Sequence, residues 1–215
     1  MLKGVSLLIR AGSKTLFMGE SGVGKTTLLK LLADFYRPIS GTITWDGCPY
    51  DEIRTQSLYQ KIGYLFQDAY LFGDTIKNNI LTGRPDASDE EVKHTAKLAG
   101  FDTVAERLPD GYDSVVGERG AFLSAGERQR LTLARLILKD PEVIILDEST
   151  ANLDIETEAE VMENIFKKIF QDKTIISVSH RGNTIRYYDR VYMVTGEGIR
   201  EYRQEEYEKR GGEGE

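Results

Sequence analysis

With 215 residues the chain suits one α/β domain, or a domain with a small subdomain, and can bury a sizeable core. Its 40% hydrophobic and 29% charged residues are ordinary for a globular protein, and a net charge of −7 argues against general affinity for nucleic-acid phosphates. Cys48 is the only cysteine, which excludes an internal disulfide, and no apolar run reaches the length of a membrane span. Residues 1–4 do not read as a secretion signal, so the chain is expected to be soluble by itself, with any membrane-embedded part lying elsewhere.

Val5 to Ile9, the turn Ala11-Gly12 and Thr15 to Met18 read as strand, turn, strand. They lead into Gly19-Glu20-Ser21-Gly22-Val23-Gly24-Lys25-Thr26-Thr27, which has the form Gly-x-x-x-x-Gly-Lys-Thr of a phosphate-binding loop. A buried strand before it and the helix-forming run Leu28 to Ala33 after it supply the context this loop needs. Its glycines let backbone N–H groups converge on phosphate oxygens, and the helix N-terminus adds partial positive charge. Lys25 reaches the β- and γ-phosphates and the Thr26 hydroxyl ligates Mg²⁺ in such a loop. The helix is expected to end near Tyr36-Arg37-Pro38, where the proline stops it.

Gly41 to Trp45 alternates as a half-buried strand, with a hairpin signal at Asp46-Gly47. Trp45 reads as hairpin packing, and Cys48, in the return strand, as a small hydrophobe. Ile62 to Phe66 is a buried strand ending at Gln67-Asp68. Ser88-Asp89-Glu90-Glu91 is a capping box that opens a helix to about Leu98, on which His94 is a solvated surface residue. Short turns fill the interval from Gly100 to Gly120. Ser124-Ala125-Gly126-Glu127 is a second capping box, and the helix it opens closes at Asp140-Pro141. Val143 to Leu146 is a continuous apolar run, as in a central parallel strand, and ends in Asp147-Glu148. Asp154 caps a helix with Ile155, Ala159, Met162, Ile165, Phe166 and Ile169 on one face. Thr174 to Val178 is a strand ending at Ser179-His180, and Val191–Val194 with Ile199–Tyr202 form a terminal hairpin.

Three buried strands thus stop at Gln67, Asp147-Glu148 and His180, and in open α/β sheets ligands sit beyond the carboxyl ends of the strands. Any one of these residues alone could be a cap that starts a loop. Together with the loop they suit phosphoryl transfer. Asp147 is the expected Mg²⁺ carboxylate, direct or through water, with Thr26. Glu148 points the other way along a continuing strand and is the candidate general base for a water in line with the γ-phosphate. His180 either donates a hydrogen bond to the γ-phosphate or orients that water.

Gly19 to Thr27, Gln67, Leu123-Ser124-Ala125-Gly126-Glu127, Val143 to Glu148, Leu153-Asp154 and His180 resemble the motif series of ABC-type ATPases: Walker A, Q-loop, signature, Walker B, D-loop and H-loop, in the family's order. Gln67-Asp68 with Leu71-Phe72 and Thr75-Ile76, and Val116 to Gly120 ahead of the signature, look most like exporter-type nucleotide-binding domains. The resemblance implies an α/β P-loop NTPase core with a mainly parallel sheet, an N-terminal antiparallel β segment and a helical subdomain. Residues 1–66 and 140–203 are then the catalytic core, 67–139 the signature subdomain and 204–215 a flexible tail.

It also implies a Mg²⁺-dependent ATPase acting as a head-to-tail dimer, in which Ser124, Gly126 and their helix face the other subunit's γ-phosphate. Asp154 carries information between the two sites. Gln67 joins magnesium and water to a transmembrane partner, whose coupling helix meets residues 64–80. Export at the cytoplasmic side of the cell membrane, without nucleic acid and without insertion by this chain, is the implied setting. A soluble, non-transport ATP switch of the same family is the alternative, though the roughly hundred residues from Walker A to signature hold no heptads.

The chain departs from the family pattern at two places. The signature reads Leu-Ser-Ala-Gly-Glu instead of Leu-Ser-Gly-Gly-Gln, so Glu127 is either a structural cap or a charge that weakens γ-phosphate affinity. Residues 1–16 contain no aromatic to stack on adenine; either the chain starts inside the domain, which is the favoured expectation, or the base is held differently.

Overall fold

The computed structural model describes residues 2–66, 70–147, 163–179 and 182–202. In chain order its elements are β1 (Lys14–Met18), α1 (Lys25–Leu32), β2 (Thr44–Trp45), β3 (Cys48–Pro49), α2 (Thr55–Lys61), β4 (Ile62–Leu65), α3 (Ile76–Leu81), α4 (Asp89–Leu98), α5 (Asp102–Glu106), α6 (Ala125–Lys139), β5 (Val143–Asp147), β6 (Thr174–Val178), β7 (Arg190–Thr195) and β8 (Gly198–Tyr202). A π-helical stretch, Asn164–Ile169, precedes β6. The chain divides into two units, residues 1–59 with 172–215, and residues 60–171.

In the first unit β1 lies between β6 and β7, parallel to both, and β8 returns antiparallel to β7. β1 is buried from Lys14 to Phe17, with Leu16 and Phe17 wholly inaccessible to solvent. Phe17 stacks on Tyr192 of β7 at 5.4 Å between ring centroids. α1 contacts β6, burying Leu28 and Leu29. This is the geometry that a parallel strand with apolar residues on both faces requires. In the second unit β4 and β5 pair in parallel, Ile62 opposite Val143 and Leu65 opposite Leu146. α6 packs on β4, α3 and α4, and its buried Leu131, Ala134 and Leu138 recur at helical spacing.

The expected mainly parallel α/β architecture is present, and both capping boxes form where the sequence places them. Four local expectations change. Val5 to Ile9 is not a strand: Val5, Leu7 and Ile9 are half-buried and Ser6 and Leu8 exposed, yet no described strand pairs with them. The antiparallel segment near the N-terminus is instead the short β2–β3 hairpin, in which Asp46 (φ 50°) and Gly47 (φ 83°) make the left-handed two-residue turn. Cys48 is exposed, because two residue pairs present too little surface to bury it.

α1 ends at Leu32, well before Pro38. Asp34 takes a left-handed conformation (φ 60°), and the amides of Phe35 and Asp34 donate to the carbonyls of Lys30 and Leu31. That is a Schellman closure with Asp in the usual glycine position. The last of the four concerns the helix expected from Asp154. Its described end is π-helical and keeps Ile165 and Phe166 buried, while its start, like the 204–215 tail, lies outside the described residues.

Candidate functional site

The loop from Gly19 to Thr27 joins β1 to α1. Gly24, at the N-cap of α1, has φ 112° and ψ 12°, a conformation open to glycine and strained for any side chain. Gly19 approaches β7 so closely that an added Cβ would lie 2.4 Å from the Val194 carbonyl oxygen. Lys25 is buried, at 6% exposure, and its ammonium donates to the carbonyls of Gly19 (2.8 Å) and Glu20 (2.9 Å). The lysine therefore braces the loop through neutral carbonyl acceptors. Glu20, Ser21, Thr26 and Thr27 are exposed and Val23 is half-buried, so the polar rim faces solvent.

α1 has no side-chain cap and no acidic residue in its first turn. By contrast Thr75, Ser88 and Ser124 cap α3, α4 and α6. An uncapped helix N-terminus above a buried lysine is a fitting donor set for the oxygens of a phosphate chain.

Asp147 ends β5 and is 5% exposed. The Tyr64 hydroxyl donates to its Oδ2 at 2.8 Å. Because Tyr64 stands opposite Ile145, the period of two along a strand places Tyr64, Ile145 and Asp147 on one face of the β4–β5 pair. Burial first, then the hydrogen bond to Asp147 and its charge, push the Tyr64 phenol far above its ordinary pKa, so it is a donor at neutral pH. Its ring lies 4.2 Å from that of Phe66. Gln67, Glu148, Asp154 and His180, the other motif residues of this chemistry, lie outside the described residues.

The signature segment is a helix start. Ser124 Oγ accepts from the Glu127 amide, and Glu127 Oε2 accepts from the Ser124 amide at 2.8 Å. Ser124 and Ala125 are exposed, Gly126 is half-buried and Glu127 is buried. Arg107 donates to the other Glu127 oxygen, Oε1. Burial raises the Glu127 carboxyl, but the Ser124 contacts and Arg107 outweigh it and hold the group below its ordinary pKa. Of the two readings of Glu127, this geometry favours the cap. The carboxylate is folded back onto its own helix terminus and paired.

A further polar cluster, of which sequence patterning offers only Arg135, ties residues 70–79 to α6. Asn79 is wholly buried; it accepts from the Phe72 amide and donates to the carbonyls of Phe72 and Thr75. Arg135 of α6 donates to Asn79 Oδ1, to the Asn79 carbonyl and to the Tyr70 carbonyl, and its guanidinium lies 5.7 Å from the Phe72 ring centroid. Burial lowers its pKa to about 10, which still leaves it charged at neutral pH. An arginine at helical spacing on a largely apolar face was the available signal.

Comparison with known proteins adds to this geometry. The family described as ABC transporter matches residues 2–151. The chain is 41% identical over 201 residues to the "Uncharacterized ABC transporter ATP-binding protein YwjA" of Bacillus subtilis, covering 94% of this chain and 35% of that protein. It is 43% identical over 194 residues to a "Putative multidrug export ATP-binding/permease protein" of Staphylococcus aureus, covering 90% of this chain and 33% of that one. A solved structure of a bacterial Atm1-family ABC exporter with ATP bound superposes with a TM-score of 0.90 at 38% identity, over 99% of this chain and 37% of the other. The chain thus spans about a third of the length of these relatives.

Proposed function

The chain belongs to the ABC transporter family, and from that premise we propose that it binds and hydrolyses ATP with Mg²⁺ to drive export through a transmembrane partner. The single observation that carries the reading is the loop from Gly19 to Thr27, with its buried Lys25 and the uncapped start of α1. The exporter-like fold supports the transport setting, and the proposal sets the chain at the cytoplasmic side of the cell membrane.

In this reading the backbone of Gly19–Thr27 and the Lys25 ammonium bind the β- and γ-phosphates. Thr26, Gln67 and Asp147 hold Mg²⁺, which when bound neutralises phosphate charge. The hard-oxygen chemistry of Thr26 and Asp147 fits that ion. Glu148 accepts the proton of the attacking water as the new O–P bond forms and the bond to the ADP oxygen breaks, and His180 hydrogen-bonds the transferred phosphoryl group or that water. Ser124, Gly126 and the α6 N-terminus serve the phosphate of a second, identical or related domain in a head-to-tail dimer, with Asp154 linking the two sites. Residues 67–139 are the subdomain that presents this surface.

Glu148→Gln is expected to keep ATP binding, lose most phosphate release and accumulate as an ATP-bound dimer. Hydrolysis at the parent rate by that variant would remove Glu148 from the base role.

A further inference from the structure

Tyr64 belongs to none of the motifs above, yet it holds the carboxylate on which the metal chemistry depends. A carboxyl group turns in a broad well about its Cβ–Cγ bond, so an aspartate at a strand end has no preferred orientation of its own. Here the turn is restricted from outside β5. The Tyr64 hydroxyl, carried on the neighbouring strand, meets Asp147 Oδ2 at 2.8 Å. The parallel register sets the distance: Tyr64 faces Ile145, two residues before Asp147 on the same side of the pair, and the length of a phenol spans that offset. The ring is itself held beside Phe66, and the acceptor is almost wholly buried.

We propose that Tyr64 is a positioning residue for Asp147, committing one carboxylate oxygen to the phenol and thereby fixing the rotation of the group toward Mg²⁺. This role rests on the Mg–ATP reading above. Outer partners of this kind orient the groups that touch the metal, and their loss lowers metal affinity by about 10–100-fold. Phenylalanine keeps the ring and its contact with Phe66 while deleting only the hydroxyl.

The test compares the 215-residue chain with its Tyr64→Phe variant, titrating Mn²⁺ in the presence of a non-hydrolysable ATP analogue. Bound ion is read from the loss of the free-Mn²⁺ electron paramagnetic resonance signal, independent of turnover. The midpoint is expected to rise about tenfold in Tyr64→Phe, while the variant keeps a cooperative thermal transition, lowered by a few degrees for the lost buried hydrogen bond, and the metal-free binding of the analogue in EDTA stays at the parent value. An unchanged Mn²⁺ midpoint would overturn the role of Tyr64 and leave the nucleotide site standing. Loss of metal-free binding or of the fold would show that the hydroxyl serves the scaffold and not the carboxylate, and would overturn it too. If the parent chain binds no Mn²⁺ with the analogue, the nucleotide-site reading itself fails, and the role of Tyr64 with it.

Discussion

Ser124 has one duty in the fold and a second that is proposed. As the N-cap of α6 its hydroxyl accepts from the Glu127 amide, and its exposure leaves room for the proposed contact with a phosphate in trans. Alanine removes both and is expected to lower stability by about 1 kcal/mol, whereas glycine, a tolerable cap, lowers it by roughly a few tenths. Urea unfolding measures this difference. Phosphate release should fall in both variants alike, and a glycine variant with parent turnover would confine Ser124 to capping. The neighbouring Glu127 was legible as a cap from the spacing Ser-x-x-Glu alone. Its partner Arg107 was not, because 20 residues and a turn-rich segment separate them.

Among the elements, α6 sets the tolerances of the second unit. A Cβ on Gly63 of β4 would come within 2.2 Å of Leu136 Cδ1 and 2.7 Å of Pro141 Cγ. A Cβ on Gly83, just beyond α3, would come within 2.3 Å of the Arg135 carbonyl oxygen. The first clash is with side-chain ends, of which the leucine can turn aside; the second is with helix backbone, which cannot. Gly63→Ala is therefore expected to cost about 1 kcal/mol and Gly83→Ala about 3 kcal/mol, the two ends of the usual overpacking range. Chemical denaturation checks the order, and equal costs would show that α3 and its following turn yield as easily as a side chain. Neither glycine declared this in the sequence, since what crowds them is 52 to 78 residues further along the chain.

For the molecule as a whole, the proposed head-to-tail arrangement has each site half supplied by a second copy. Phosphate release per molecule should accordingly climb as the protein is concentrated and level off once dimers dominate. Turnover strictly proportional to protein over a wide dilution range would contradict the head-to-tail arrangement. No helix among the described residues is long and apolar enough to cross a membrane, and the chain spans about a third of the length of the relatives it matches.

What the amino-acid order determined by itself is whatever closes within a turn or two of chain. The phosphate loop between strand and helix, the capping boxes at Ser88 and Ser124, the Asp46-Gly47 hairpin and the apolar run of β5 all rest on bonds or periodicities spanning a few residues, and all are present. Even locally, a competing signal can win: the left-handed Asp34 ended α1 before Pro38 could.

Tertiary structure alone decided which distant groups meet. Tyr64 and Asp147 lie 83 residues apart, and Asn79 and Arg135 lie 56 apart. The pairing of Tyr64 depends on the register of β4 against β5, where a slip of one residue would turn its hydroxyl to the opposite face. Alternation along a strand tells which residues share a side, but only the hydrogen-bonded partner strand says what that side contains.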